Sequence, residues 1–134
     1  MLIEEPSKSV ADPVDNRREF RRIGTGVRVV YRWLPMGRNE REYLHAVAED
    51  VSLGGMFLAT PHPLPRRSIL SIEFYPPGSI DGTRPVRAKA VVCWRRRWRS
   101  PRGMGIKFLE FEGLGQQRLE AWIDTVLSPA SVVF

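Results

Sequence analysis

The stretch Ser68-Ile69-Leu70-Ser71-Ile72-Glu73-Phe74-Tyr75 alternates by residue type. Leu70, Ile72 and Phe74 fall on one side, and Ile69, Ser71, Glu73 and Tyr75 on the other. A period of two marks a strand, because successive side chains leave a pleated backbone on opposite faces. An isolated strand cannot cover its own apolar face, so the chain must supply partners.

Upstream, Pro61, Pro63 and Pro65 read as a stiff connection to a short apolar strand over residues 56–59. Residues 52–55 read as a tight turn that reverses the chain after a strand over 43–51. Residues 35–39, Pro-Met-Gly-Arg-Asn, are turn chemistry. Before them, Val27, Val29, Tyr31 and Trp33 alternate with Arg28, Val30 and Arg32, which predicts the first strand. Downstream, Pro-Pro-Gly and Asp-Gly make a loop of residues 76–85. Strands over 86–94 and 104–111 then flank a basic hairpin loop at 95–103. Only after that does the period change. Leu114, Leu119, Trp122, Ile123, Val126 and Leu127 recur at helical spacing, and Pro129 is expected to stop the helix. Six closely spaced strands and one late helix predict a mainly-β chain: a six-stranded antiparallel β-barrel capped by a C-terminal α-helix. The expected domain spans residues 16–128, with a flexible tail at 1–15 and a short tail at 129–134.

The chain has 134 residues, 43% hydrophobic and 27% charged, which suits one soluble domain. Its single cysteine, Cys93, lies in the run Val91-Val92-Cys93-Trp94 and is expected as a buried core thiol in a reducing compartment. No apolar run approaches the roughly 20 residues of a membrane span. The first residues lack the basic start and apolar stretch of a secretion signal. These features predict a cytoplasmic protein without membrane insertion.

Enzyme readings find little support. His45 lies in a strand and His62 among prolines, neither with a cysteine or carboxylate at metal-ligand spacing. Cys93 has no base partner readable in the sequence. Gly24-Thr25-Gly26 precedes a strand rather than a helix, so it is no phosphate loop. Trp33 and Trp122 read as core or helix-face residues. No catalytic residue, metal site or cofactor is expected.

The net charge of +6 comes mostly from arginine, whose planar fork suits phosphates and guanine edges. Two patterns concentrate this chemistry. Arg17-Arg18-Glu19-Phe20-Arg21-Arg22 holds Arg-x-x-x-Arg in two registers, and Asp50-Val51-Ser52-Leu53-Gly54-Gly55 reads Asp-x-Ser-x-x-Gly. The first precedes the first strand; the second falls between two strands.

This joint arrangement resembles the PilZ family of cyclic di-GMP receptors, over about residues 16–127. The family's arginine motif matches Arg18 and Arg22, with Arg17 immediately before and Ile23 after. Its acidic motif matches Asp50, Ser52 and Gly55. Val91-Val92-Cys93-Trp94 and Gly103-Met104-Gly105-Ile106-Lys107-Phe108 look like the family's last two strands. The resemblance implies a split-barrel receptor for cyclic di-GMP and a protein partner of unspecified identity.

The residue chemistry suits that ligand. A guanidinium meets guanine O6 and N7, or two phosphate oxygens, with paired hydrogen bonds. Asp50 can accept from guanine N1–H and N2–H₂, which adenine does not offer together. Ser52 adds a hydroxyl, and Gly55 allows a sharp turn or close approach of a ligand to the backbone. Trp94, ending the fifth strand, offers a stacking face. Two rival expectations are a PilZ-like protein-interaction module that has lost ligand binding and a basic nucleic-acid-binding barrel. The run Arg95-Arg96-Arg97-Trp98-Arg99, with Arg102, is a second basic patch: an exposed hairpin tip, or a docking surface for an acidic partner or nucleic acid.

Overall fold

A computed structural model describes residues 21–34, 43–77 and 84–127. The expected tails, Arg17, Arg18, the 35–39 turn and Pro129 lie outside the described residues. Six strands follow in order: β1 (Ile23–Trp33), β2 (Leu44–Val51), β3 (Gly55–Ala59), β4 (Ile69–Phe74), β5 (Val86–Arg96) and β6 (Gly103–Phe111). One helix, α1 (Gly115–Leu127), comes last. The strands close as an antiparallel barrel in the order β1-β2-β3-β6-β5-β4, with β4 returning to β1. This is the six-stranded barrel and terminal helix that the periodicities predict.

The alternation gives the barrel an inside and an outside. Leu70, Ile72 and Phe74 of β4 and Val86, Ala88, Ala90 and Val92 of β5 are buried, and their neighbours face outward. A closed barrel leaves no long unpaired edge, so it covers a core on one side and water on the other. Tyr31 is fully buried within it. Its hydroxyl donates to the His62 carbonyl at 2.8 Å and lies 2.9 Å from the Thr60 hydroxyl. Helix α1 covers the end where β4 stops and β5 starts. There Leu119, Trp122 and Ile123 are buried, with Trp122 6.2 Å from Phe74 between ring centroids. Arg118 fastens the helix to the Arg84 and Pro85 carbonyls at 2.6 and 3.2 Å. Leu114 and Val126, which share the helical period, remain exposed.

Two sequence expectations change. Trp33 is not a core residue but 47% exposed. β1 pairs with β2 only as far as Tyr31 opposite Leu44, so among the described residues Trp33 has a strand neighbour on the β4 side alone. Cys93 is exposed rather than buried. Register shifts between Val92 and Trp94 against β6, so the strict alternation breaks there. Such a bulge turns two consecutive residues to the same side. Ala88, Ala90 and Val92 take the core face, which already leaves Cys93 outside, and the bulge turns Trp94 out beside it. The basic hairpin is also shorter than expected, since β5 runs on through Arg96.

Burial holds the Tyr31 phenol above its ordinary value of 10.0, and the Thr60 hydrogen bond offsets part of that rise. A raised pKa favours the protonated, folded form below pH 10. That contribution is lost as pH climbs through the folded value, because the unfolded chain ionises first. Tyr31→Phe should cost about 1–2 kcal/mol at neutral pH, where it leaves the His62 carbonyl without its donor and the Thr60 hydroxyl with the His62 N–H alone. It should also flatten the alkaline fall in stability. Urea unfolding at neutral and alkaline pH measures both.

Candidate functional site

The turn from β2 into β3 builds itself. The Ser52 backbone N–H donates to the Gly55 carbonyl at 2.8 Å. The Ser52 hydroxyl accepts from the N–H groups of Gly54 and Gly55 at 3.1 and 3.3 Å. Ser52 is buried, so its hydroxyl serves the turn. Gly55 is required for a different reason than a sharp turn. It sits opposite Lys107 on β6, and any Cβ there would overlap the Ile106 carbonyl. The close approach is therefore of strand to strand.

The turn and a neighbouring irregularity aim Asp50. It pairs with Gly24 on β1 and Phe57 on β3, just past a register shift between Ala48 and Asp50. Ile23 pairs with Val51, which brings the preceding residue, Arg22, alongside. Arg22 Nη1 donates to Asp50 Oδ1 at 2.5 Å across 28 residues of sequence. Both side chains stay partly open to solvent, at 54% and 37% exposure, so the pair adds only about 0–1 kcal/mol to stability. Its importance is positional: a cationic fork and a carboxylate are held together at one place on the barrel wall.

Beside them lies an aromatic floor. Trp94 stacks on Phe57 with centroids 5.3 Å apart and planes 14° from parallel. Gly105, opposite Trp94 on β6, makes room for this, since a Cβ there would enter the indole. The Arg96 guanidinium lies over both rings, 5.1 Å from Phe57 and 5.8 Å from Trp94. Together Arg22, Asp50, Gly54, Trp94, Arg96 and Lys107 border a cleft of about 730 Å³. Cys93 reaches the same cleft.

Arg22, Asp50, Ser52, Gly55 and Trp94 thus converge on one surface. Phe57, Arg96 and Lys107 join them, although the sequence reading gave none of them a role at this ligand site and placed Arg96 in the second basic patch. Arg96 follows Trp94 by two residues and so shares its face, a spacing that was available to find it. Phe57 and Lys107 come from other strands, and only register brings them near.

A slightly larger groove, about 770 Å³, runs between α1 and Pro76, Pro77 and Pro85. Arg118 there is engaged with backbone carbonyls, and the groove's Arg87 and Glu112 form only a long, solvent-open pair at 3.9 Å. Among the described residues no cluster of His, Cys, Asp or Glu is placed to hold a metal. Nor is any helix among them long and apolar enough to cross a membrane.

A family model for the PilZ domain matches residues 15–125. The fold is similar to that of the Bacillus subtilis inhibitor of motility, MotI/DgrA, with a TM-score of 0.65 and 19% identity over 84% of this chain and 53% of that one. The chain therefore spans about half the length of that protein. It is also similar to the PilZ domain of YcgR from Escherichia coli, solved with c-di-GMP, with a TM-score of 0.52 and 17% identity over 86% and 94% of the two chains. At these identities the likeness is one of fold. No curated protein matches the chain.

Proposed function

The chain belongs to the PilZ domain family, and from that premise we propose that it is a receptor for cyclic di-GMP that regulates a protein partner by binding rather than by catalysis. The observation that carries this reading is the Arg22–Asp50 pair at the border of a cleft floored by Trp94 and Phe57. Guanine presents acceptors at O6 and N7 and donors at N1 and N2. A guanidinium suits the first edge and a carboxylate the second. A well-made bidentate contact discriminates between bases by about 1–3 kcal/mol. The open face of Trp94 offers stacking worth about 1–3 kcal/mol per base.

Arg22 carries one cationic charge, already shared with Asp50. The ligand's two phosphodiesters need further cations. Arg96 and Lys107 border the cleft without a carboxylate partner among the described residues, and Arg17 and Arg18 precede Arg22 in the chain. Ser52 and Gly55 act indirectly in this scheme: the first orders the turn that carries Asp50, and the second lets β3 approach β6. Binding engages the arginines that precede Arg22 at the cleft, and the changed surface is what a partner reads. Such a receptor works in the cytoplasm, where the messenger is made and consumed.

Titration calorimetry with cyclic di-GMP, GTP and a short DNA duplex tests the proposal. The expected result is saturable binding of cyclic di-GMP, much weaker binding of GTP and no binding of the duplex. Heat from none of the three would favour a protein-interaction module without a nucleotide, and binding of the duplex alone would favour nucleic acid. Hydrogen exchange across residues 10–24 should slow with ligand; unchanged exchange in a chain that binds would reject that engagement.

A further inference from the structure

The hairpin joining β5 to β6 stands out from the barrel. Its residues 97–102 read Arg-Trp-Arg-Ser-Pro-Arg. Trp98 is 88% exposed, and the Arg97 guanidinium lies 5.4 Å from its ring. An indole this open presents a large apolar face that the fold does not use. Arg95, Arg97, Arg99 and Arg102 surround it, all exposed, and none pairs with a carboxylate among the described residues. The base of the hairpin is fastened. Arg96 Nη1 donates to the Pro101 carbonyl at 3.3 Å, and the Thr60 N–H donates to the Arg102 carbonyl at 3.0 Å.

The antiparallel order brings the end of β1, the end of β3 and the start of β4 to this same end of the barrel. Trp33 and Ile69 are exposed there, with Arg66 and Arg67 beside them. The Arg67 N–H donates to the Val92 carbonyl at 2.8 Å, which ties that loop to β5. The described carboxylates fall elsewhere: on the second halves of β2, β4 and β6, just after β6, and on α1. Among the described residues the charge is lopsided, and the cationic end is also the end that shows indoles.

We infer that this end docks peripherally on an anionic lipid bilayer, with Trp98 in the headgroup layer and the arginines on lipid phosphates. The amphipathic indole settles at the membrane–water interface, where its ring and its N–H are both satisfied. A negatively charged leaflet attracts each nearby arginine, and salt screens that attraction. A single-stranded nucleic-acid surface would instead need a cationic groove with successive stacking platforms. Here the neighbouring apolar groups are Trp33, on a different strand, and Ile69, which has no π face. This surface adjoins the nucleotide cleft, which Arg96 and Pro101 border, but the inference uses none of the cleft's ligand contacts and so stands apart from the receptor proposal.

Co-sedimentation of the full chain with vesicles tests it. The protein should sediment with phosphatidylcholine vesicles containing phosphatidylglycerol, not with phosphatidylcholine alone, and high salt should release it. Removing arginines as Arg97→Gln with Arg99→Gln should weaken binding about fivefold per charge. Trp98→Ser should weaken it roughly tenfold or more while leaving the salt dependence in place. Both variants change only exposed positions, and unchanged thermal melting confirms folded protein. The inference is overturned if the folded chain ignores the anionic vesicles at low salt, or if neither substitution weakens binding. It is equally overturned if a DNA duplex binds the same residues more tightly than the vesicles do.

Discussion

Asp50→Ala is expected to weaken cyclic di-GMP binding about 100-fold while leaving the barrel folded. Two effects add. The guanine N1–H and N2–H₂ donors lose their carboxylate and end up desolvated against the barrel without an acceptor. Truncating one member of a buried, charge-assisted contact costs about 2–5 kcal/mol. The second effect is loss of aim. Arg22 is held at 2.5 Å by the Asp50 carboxylate, and without it the guanidinium must be ordered by the ligand itself. Stability should barely move, because a solvent-open ion pair contributes about 0–1 kcal/mol. Asp50→Asn should fall between, since it keeps one acceptor oxygen and sets an amide donor against guanine's donors. Calorimetry beside thermal melting separates these quantities. If Asp50→Ala binds the dinucleotide as the parent does, the carboxylate is not a guanine contact. A nucleic-acid-binding barrel behaves oppositely, since removing a carboxylate there is harmless or slightly helpful.

Gly55→Ala should damage the fold rather than the ligand contact. One methyl placed at this position meets the Ile106 carbonyl carbon and oxygen and the Lys107 Cα, all of them backbone atoms of β6. No rotamer change relieves a clash with backbone, so β3 must move off β6. That weakens the pairing that runs from Gly55 opposite Lys107 to Ala59 opposite Gly103. Overpacking of this kind costs about 3 kcal/mol, which for a domain of this size lowers the melting temperature by roughly 10 °C. Dinucleotide affinity measured well below the new midpoint should stay within a few-fold of the parent. A variant that melts like the parent but no longer binds would show that the missing Cβ makes room for ligand. The residues of this acidic turn thus have separate roles. Asp50 faces the cleft, Ser52 ties the turn, and Gly55 lets two strands meet.

Much of this was open to reading along the chain. Ser68 to Tyr75 alternates cleanly, and the structure buries Leu70, Ile72 and Phe74 as that alternation requires. The switch to helical spacing after residue 111 marked the only helix among the described residues, with Leu119, Trp122 and Ile123 inward. Period and turn chemistry are properties of neighbours in sequence, so a hexapeptide can report them. Arg22 and Asp50 were legible because each lies in a recognisable short pattern.

What the sequence by itself determined, then, is the count and kind of elements and the residue chemistry offered just before β1 and between β2 and β3. Tertiary structure alone decided which way certain side chains face and which strands share a surface. The apolar run 91–94 suggested a buried Cys93, but Ala88, Ala90 and Val92 take the core face of β5 and leave Cys93 outside, and the shift against β6 sets Trp94 beside it. The same shift, with Gly105 opposite, opened the place where Trp94 lies against Phe57. Trp33 obeys the alternation yet ends up exposed because β2 stops pairing at Leu44. Phe57, Arg96 and Lys107 reach the cleft from three strands that are adjacent only in the closed barrel. Register and closure are set by which strands meet, a relation between distant parts of the chain, and no local periodicity encodes it.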